Sequence, residues 1–296
     1  MTLKTEALRD GAPVTRVTGA PPAPVSPTPT RRRRRGPHRW TTWQRIGAGL
    51  GGVVVLGLVL EVVSRYIVDN PAYLPPLSEV LVRLGQFFTE PDFWAQVGAT
   101  LASFLMGLVI ASLLGITLGV LFGLWEVSYR SSRTVIELLR PIPPVALIPV
   151  AILLFQTGLL MKTIIVLFAC IWPIMFNALY GVRNVDPLMK DMARSFGRSR
   201  FDTVWHIVLP AAMPLMWTGI RVASTIALIV IITVELLVGG TGGVGGILAT
   251  ARAQGNDVLT FFAAIIVAGV LGLLVNILLT AIERRFFAWS TTTKEG

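Results

Sequence analysis

The sequence is poor in the side chains on which most catalytic and metal chemistry depends. Its 296 residues include one cysteine, Cys170, and two histidines, His38 and His206. A single thiol excludes an intramolecular disulfide and a CxxC redox or zinc site, and two distant histidines argue against a His-based metal site. No Walker A phosphate-binding pattern occurs, so we expect no ATP hydrolysis by this chain. We therefore predict a protein that is not an enzyme and that holds no cofactor.

Charged residues are also scarce, at 14%, whereas 53% of the residues are hydrophobic and the mean hydropathy is +0.70. Several apolar runs reach about 20 residues, the length that crosses a hydrocarbon core of about 30 Å. The pattern predicts an all-α polytopic membrane protein with about six transmembrane helices. The expected spans are residues 46–67, 97–124, 134–156, 160–182, 215–238 and 260–282.

The positive charge is concentrated at one end. Residues 1–45 hold ten of the 26 Lys and Arg residues and many prolines, a composition that cannot form a packed core. We predict a disordered basic cytoplasmic tail over 1–45 and a transmembrane permease domain over 46–290. The run from Arg31 to Arg35 could contact nucleic acid, but beside a first span we interpret it as an anchor on anionic membrane lipid, with no nucleic-acid partner.

The remaining basic residues predict the orientation. Loops 125–133, 183–214 and 283–296 carry more Lys and Arg than loops 68–96 and 239–259. By the positive-inside rule, the first three loops and both termini lie in the cytoplasm, in a multi-pass protein of the plasma (inner) membrane. Lys162, in a short turn on the outer side, is the one mild conflict.

Loop 183–214 carries signals for two short amphipathic helices. Asp186-Pro187 is typical of a helix start, and Gly197 suits the left-handed turn that ends a helix. Ser199 with Asp202 forms a second capping pattern, and Pro210 punctuates the return to the membrane. Apolar residues follow one face of each helix. Such helices could lie on lipid headgroups or dock into a groove of a soluble partner.

This loop resembles the cytoplasmic signature of ATP-binding-cassette (ABC) importer permeases, Glu-Ala-Ala, three residues, Gly, nine residues, Ile-x-Leu-Pro. Asp191 and Met192 replace the first two signature residues, and the spacing is that of the family. The resemblance extends over roughly 70–290 and is to the nitrate/sulfonate/taurine-type branch, with Gln156-Thr157 standing where the family tends to have Gly and an apolar residue. The residues that the resemblance assigns to ATPase coupling, with two aromatic neighbours, are Asp191, Ala193, Gly197, Phe201, Trp205, Ile207, Leu209 and Pro210.

The resemblance implies a permease with a type I ABC importer (MetI-like) core, driven by a separate ATPase. Its partners would be cytoplasmic ABC ATPase subunits, an extracytoplasmic substrate-binding protein and a second permease copy in a homodimer. The solute would be a small anion such as a sulfonate, taurine or nitrate. The alternatives are an importer for a vitamin or pyrimidine precursor and, outside the family, an ion-coupled secondary carrier.

Polar or helix-breaking residues within or beside the spans are candidates for a translocation pathway. Prolines should break the third span, and broken helices are tolerated where backbone faces protein or a cavity. An intramembrane carboxylate such as Glu235 is a functional candidate, although it could only anchor a loop. The Gly-rich run 240–245 is predicted to be a flexible outer loop and not a nucleotide site, because it follows a membrane span. The pathway candidates are Pro143, Pro144, Gln156, Asn177, Arg221 and Glu235.

Overall fold

The computed structural model describes residues 42–68, 73–255 and 257–287, and every regular element among them is a helix. The chain divides into two units, residues 1–51 and 52–296. The described part of the first unit, residues 42–51, is helical, and the predicted tail up to residue 41 lies outside the described residues. The helices are α1 (Thr42–Tyr66), α2 (Leu77–Phe87), α3 (Pro91–Leu124), α4 (Glu126–Leu139), α5 (Ile148–Phe155), α6 (Leu159–Arg183), α7 (Pro187–Ser195), α8 (Arg200–Thr203), α9 (Leu209–Val238), α10 (Val244–Ala253) and α11 (Val258–Phe286).

The described residues contain five helices that are long and apolar enough to cross a membrane, and six if a bent pair counts as one span. This confirms the predicted all-α membrane fold. Helix α6 lies at the centre, packed between α3 and α9, and half of its most apolar stretch is buried. The core formed by these three helices positions the loops at both ends.

Glycines let α3 approach α6 closely. Gly107, Gly115, Gly119 and Gly123 recur on one face of α3, and a Cβ atom at Gly119 would overlap the backbone of Met175 in α6. Small residues of this kind allow close packing between membrane helices, where lipid gives no hydrophobic drive for association.

The third predicted span is broken, as its prolines indicated. Helix α4 ends at Leu139, a 3₁₀ turn covers Pro144–Leu147, and the two halves of the span meet at 81°. Proline has no N–H to donate and restricts the residue before it, so the sequence around Pro141 and Pro143 cannot continue a helix. The first half begins at Glu126, eight residues earlier than residue 134.

Two other boundaries differ from the prediction. Helix α3 begins at Pro91 and not at 97. The chain also enters the membrane without a break at Pro210 or Pro214, because α8, a π-helical turn (Val204–Val208) and α9 form one continuous helix over Arg200–Val238. The π turn shifts the hydrogen-bond register, with the Leu209 N–H bonding to the Val204 carbonyl.

The predicted outer loop over 239–259 contains a helix, because α10 occupies its middle, and the flexible loop predicted over 240–245 overlaps the start of that helix. Val244, Leu248 and Ala251 recur on one helical face and are buried, and Val244 and Leu248 join a core cluster with α2, α3 and α11. The glycines that suggested flexibility therefore only precede and begin a packed helix.

Helix α1 is the least buried of the candidate spans. Its second half meets the start of α2 through the Glu61 carboxylate, which accepts hydrogen bonds from the Ser78 N–H at 3.0 Å and the Ser78 hydroxyl at 2.9 Å. Arg65 pairs with the same carboxylate at 2.6 Å. These contacts join α1 to the rest of the second unit.

Candidate functional site

The segment between α6 and α9 has the helix–turn–helix form that its sequence predicts. The Asp186 carboxylate accepts a hydrogen bond from the Leu188 N–H at 2.8 Å and caps α7. The Ser199 hydroxyl accepts one from the Asp202 N–H at 3.1 Å and caps α8. Between them Gly197 has φ +74°, in the left-handed region that favours glycine. Both caps and the glycine turn are confirmed.

Large apolar side chains of this segment point away from the protein. Phe196 is 82% exposed, Phe201 is 70% exposed and Trp205 is 55% exposed. Buried Ala193, Thr203 and Val208 attach the segment to the rest of the chain. We call the exposed set the coupling surface: Leu188, Met189, Met192, Phe196, Phe201 and Trp205.

The predicted coupling residues fall into two groups. Asp191 and Gly197 are exposed with the two aromatic residues, and the Asp191 carboxylate lies 3.4 Å from Arg194. The others are buried or half-buried and support the segment: Ala193, Ile207, Leu209 and Pro210. Phe196 is not among the predicted residues, although its place on the apolar stripe of α7 is a signal that could have identified it.

An open cleft of about 610 Å³ lies along α7. Its lining residues are Met189, Met192, Ala193, Phe196, Arg198 and Ile207. Five of these six residues are apolar and one is basic.

Three of the predicted pathway residues, Asn177, Arg221 and Glu235, each bond to a different partner. The Arg221 guanidinium pairs with the Glu283 carboxylate of α11 at 2.5 Å. The Asn177 amide donates to the Pro173 carbonyl at 2.8 Å, and its Cβ faces Gly219 where α6 crosses α9. Pro143 and Pro144 lie at the bend of the broken span.

Gln156 ends α5 with a strained backbone. Its φ of 58° and ψ of −175° fall in a region that only glycine adopts readily. It has the only positive φ of a non-glycine residue within the described ranges. The resemblance pointed to the same position, since related permeases tend to have glycine there.

Glu235 lies in a buried ion pair. Its carboxylate is 2.9 Å from the Lys162 ammonium, and the two side chains are 0% and 3% exposed. The same carboxylate accepts hydrogen bonds from the Thr100 hydroxyl at 2.8 Å and from the Gly245 N–H at 3.1 Å. Sequence reasoning missed Lys162 as the partner. The available signal was one lysine and one glutamate, each isolated in an apolar run.

The backbone after α9 is bound to this ion pair. The Lys162 ammonium also donates to the carbonyls of Thr241 at 3.3 Å and Gly242 at 3.4 Å. We call residues 239–243 the glycine loop. All four of its glycines have φ between 60° and 100°.

A polar cleft of about 450 Å³ opens beside the glycine loop. Arg83 bonds there to the Thr260 hydroxyl at 2.8 Å and the Glu90 carboxylate at 2.6 Å. Burial raises the pKa of the Asp257 carboxyl, but hydrogen bonds from Thr260 and the charge of Arg83 outweigh burial and leave that pKa below its ordinary value. Asp257 therefore stays ionised and caps α11.

The described residues define a polytopic helical membrane protein with an exposed apolar segment between two of its candidate spans. The chain belongs to the family of binding-protein-dependent transport system inner membrane components, whose family model matches residues 111–288. It is thus a multi-pass inner-membrane permease component of an ABC transporter, as its sequence resemblance predicted.

Curated relatives are similar over most of their length. The taurine transport system permease protein TauC of Escherichia coli (strain K12) is 30% identical over 86% of this chain and 94% of its own. The nitrate import permease protein NrtB of Leptolyngbya laminosa is 31% identical over 65% of this chain and 68% of its own. A bicarbonate transport system permease protein, CmpB of Synechococcus elongatus (strain ATCC 33912 / PCC 7942 / FACHB-805), is 32% identical over 67% of both chains. These relatives confirm the predicted nitrate/sulfonate/taurine-type branch.

The fold is also found among solved structures. A chain of the MetNI methionine ABC transporter, in an inward-facing crystal form, superposes with a TM-score of 0.54 and 17% identity. The match covers 66% of this chain and 98% of that chain. It confirms the MetI-type helical core predicted from the sequence.

Proposed function

We propose that this permease moves a small anion inward across the membrane, driven by cytoplasmic ATPase subunits that dock on the coupling surface. The observation that carries the proposal is the exposure of Phe196, Phe201 and Trp205 on a capped helix pair. Contiguous apolar surface on a soluble segment marks an interaction site. Because the chain belongs to a family of transport-system membrane components, the partner that we propose for this surface is the ATPase of the same transport system.

The form of the coupling surface favours a protein groove over lipid headgroups. An amphipathic helix that lies on a membrane points one continuous apolar face toward lipid. Here Gly197 turns the chain between α7 and α8, so the apolar residues form a projecting corner. A helix corner with aromatic anchors fits the helix-in-groove mode of recognition.

Basic residues support a cytoplasmic position for this segment. Residues 239–259 carry only one basic residue, Arg252. Residues 183–214 carry five: Arg183, Lys190, Arg194, Arg198 and Arg200. By the positive-inside rule both termini then lie in the cytoplasm, and the glycine loop faces the opposite side, toward a substrate-binding protein. The basic residues 1–45 would anchor the chain at the cytoplasmic leaflet.

The proposed solute class comes from the relatives, whose names specify taurine, nitrate and bicarbonate. These molecules are small and carry an anionic group. Arg221 and Arg140, which could attract an anion, have partners already: Arg221 pairs with Glu283, and Arg140 lies over the Phe176 ring at 4.8 Å. We therefore expect the substrate-binding protein to select the solute. The permease, as a homodimer, would form the pathway across the membrane.

Docking is tested by placing a charge at the centre of the coupling surface. Phe196→Asp should abolish co-purification with the proposed ABC ATPase subunit, because an ionised carboxylate cannot enter an apolar groove without losing its hydration. Val127→Asp is the matched control, since Val127 is 78% exposed and lies at the start of α4, outside the coupling surface. Equal ATPase recovery with both variants would refute docking at this surface.

The solute is tested in proteoliposomes that contain the permease, the ATPase and the substrate-binding protein. We expect ATP-dependent uptake of labelled taurine, nitrate or bicarbonate, with no uptake when the binding protein is omitted. Uptake of an uncharged vitamin or pyrimidine precursor, with none of the three anions transported, would contradict the proposed solute class.

A further inference from the structure

The glycine loop cannot hold its own conformation. Four of its five residues are glycines, and all four have positive φ. Glycine loses more conformational freedom on folding than any other residue. The loop therefore needs contacts from outside itself to keep one shape, and the described residues around it supply them.

Those contacts come from the two buried charges. The Lys162 ammonium holds the Thr241 and Gly242 carbonyls, and the Glu235 carboxylate holds the Gly245 N–H that begins α10. Each charge thus binds its partner and the backbone at once. Losing either would release one side of the loop and leave the other charge buried without a counter-charge.

Helix α3 completes the arrangement. The Thr100 hydroxyl donates to Glu235 and accepts from the Val244 N–H at 2.8 Å, and the Gln96 amide oxygen accepts from the Gly243 N–H. A Cβ atom at Gly243 would overlap the Glu235 carboxylate. The loop backbone therefore lies directly on the carboxylate, and three helices, α3, α6 and α9, meet at this point.

A buried ion pair is weak evidence for stability, because well-packed apolar residues often stabilise a fold as well or better. The presence of this ion pair is therefore better explained by the groups that it holds in position. Lys162 and Glu235 bond to four backbone or hydroxyl groups besides each other, and those groups belong to the glycine loop, α10 and α3.

The pair lies at the far end of the helix that begins at the coupling surface. Arg200–Val238 is one continuous helix, and its α9 part alone has 30 residues, about 45 Å. One continuous helix therefore connects the coupling surface to Glu235.

We infer that Lys162 and Glu235 are positioning residues that fix the glycine loop and α10 to the α3–α6–α9 core. Solute import depends on both side chains, because each one holds a different part of this backbone. The statement about import rests on the proposed function, whereas the statement about loop position does not.

The test measures the accessibility of the loop directly. Cys170, the one cysteine of the sequence, is buried, so Thr241→Cys adds a single accessible thiol to the full-length protein. Labelling of the purified protein with a polyethylene-glycol maleimide should be at least about tenfold faster with Lys162→Met or Glu235→Gln, because an unpaired buried charge opens its surroundings. The double variant should still label severalfold faster than the parent, because methionine cannot donate to the Thr241 and Gly242 carbonyls.

Import should follow the same pattern, falling about tenfold or more in each single variant and staying below the parental rate in the double variant. The matched control is the exposed pair Arg133–Glu137, at 2.7 Å. Arg133→Met, Glu137→Gln and their combination should change neither labelling nor import, since exposed pairs contribute little.

A milder variant covers the case in which single-charge variants do not accumulate in the membrane. Thr100→Val keeps both charges and nearly the same shape, and it should still speed labelling severalfold, because Val244 and Glu235 lose a partner. Parental labelling in Thr100→Val, or in the double variant, would overturn the inference. A parent complex that transports nothing, while labelling is still faster in the variants, would instead overturn the proposed function.

Discussion

The two ends of the helix Arg200–Val238 differ in which kinds of side chain are exposed and which are buried. At one end, aromatic side chains such as Phe201 and Trp205 lie exposed. At the other end, a lysine and a glutamate lie buried against a glycine loop. Soluble segments normally expose charge and bury aromatic rings. Each end departs from that rule, and each departure indicates a function.

The difference shows that the two ends depend on different sources of order. The coupling surface is ordered by local devices, two helix caps and one left-handed glycine, so its large side chains remain free to contact a partner. The glycine loop has no such devices and is ordered by side chains from α3, α6 and α9. We therefore expect substitutions to lower stability most at the glycine-loop end.

The largest expected effect is that of a methyl group at Gly245. A Cβ atom there would overlap the Ile232 carbonyl and the Glu235 Cβ, neither of which can move cheaply. Gly245→Ala should lower the free energy of unfolding by about 3 kcal/mol, the upper part of the range for overpacking. Thermal unfolding in detergent measures the change.

Gly246 provides the control, because it is the next residue of α10 and a Cβ atom there would meet nothing within 4 Å. Gly246→Ala should be neutral or stabilising by up to about 1 kcal/mol, since alanine favours a helix over glycine. Equal losses at both positions would show that contact with Ile232 and Glu235 is not what opposes a side chain at Gly245.

A smaller effect is expected at Gly197, the glycine of the coupling segment. A Cβ atom there would also meet nothing within 4 Å, so only its φ of +74° opposes a side chain. Gly197→Ala should cost about 1 kcal/mol of unfolding free energy. Gly197→Asn should recover part of that loss, because asparagine tolerates the left-handed region. An asparagine variant less stable than the alanine variant would point to crowding at the turn.

This contrast explains which features the sequence could predict. The coupling segment was predictable because its caps, glycine turn and apolar stripes act within about ten residues of each other. The break near Pro143 was predictable for the same reason. The family resemblance added the partner and the expectation of glycine at position 156.

The buried pair was not predictable by such means. Lys162 and Glu235 are 73 residues apart, and Thr100 is 135 residues from Glu235. Their meeting depends on how far α3, α6 and α9 are shifted along one another, which hydropathy does not encode. Lys162 therefore looked like a conflict with the charge rule for orientation. Helix α10 was missed because its apolar face begins inside a glycine run that usually indicates a flexible loop.

The smallest expected effect on stability is at the coupling surface itself. Phe201 and Trp205 contact each other edge to face, with ring centroids 6.2 Å apart, and are otherwise mostly exposed. Replacing both with serine should change the free energy of unfolding by no more than about 0.5 kcal/mol, as for other surface substitutions. The same variant should lose binding-protein-stimulated ATP hydrolysis in the assembled complex, because the docking anchors are gone. Thermal unfolding of the permease and ATPase assays of the complex separate the two effects. A large loss of stability would mean that these rings support the fold, and the contrast between the two ends would then disappear.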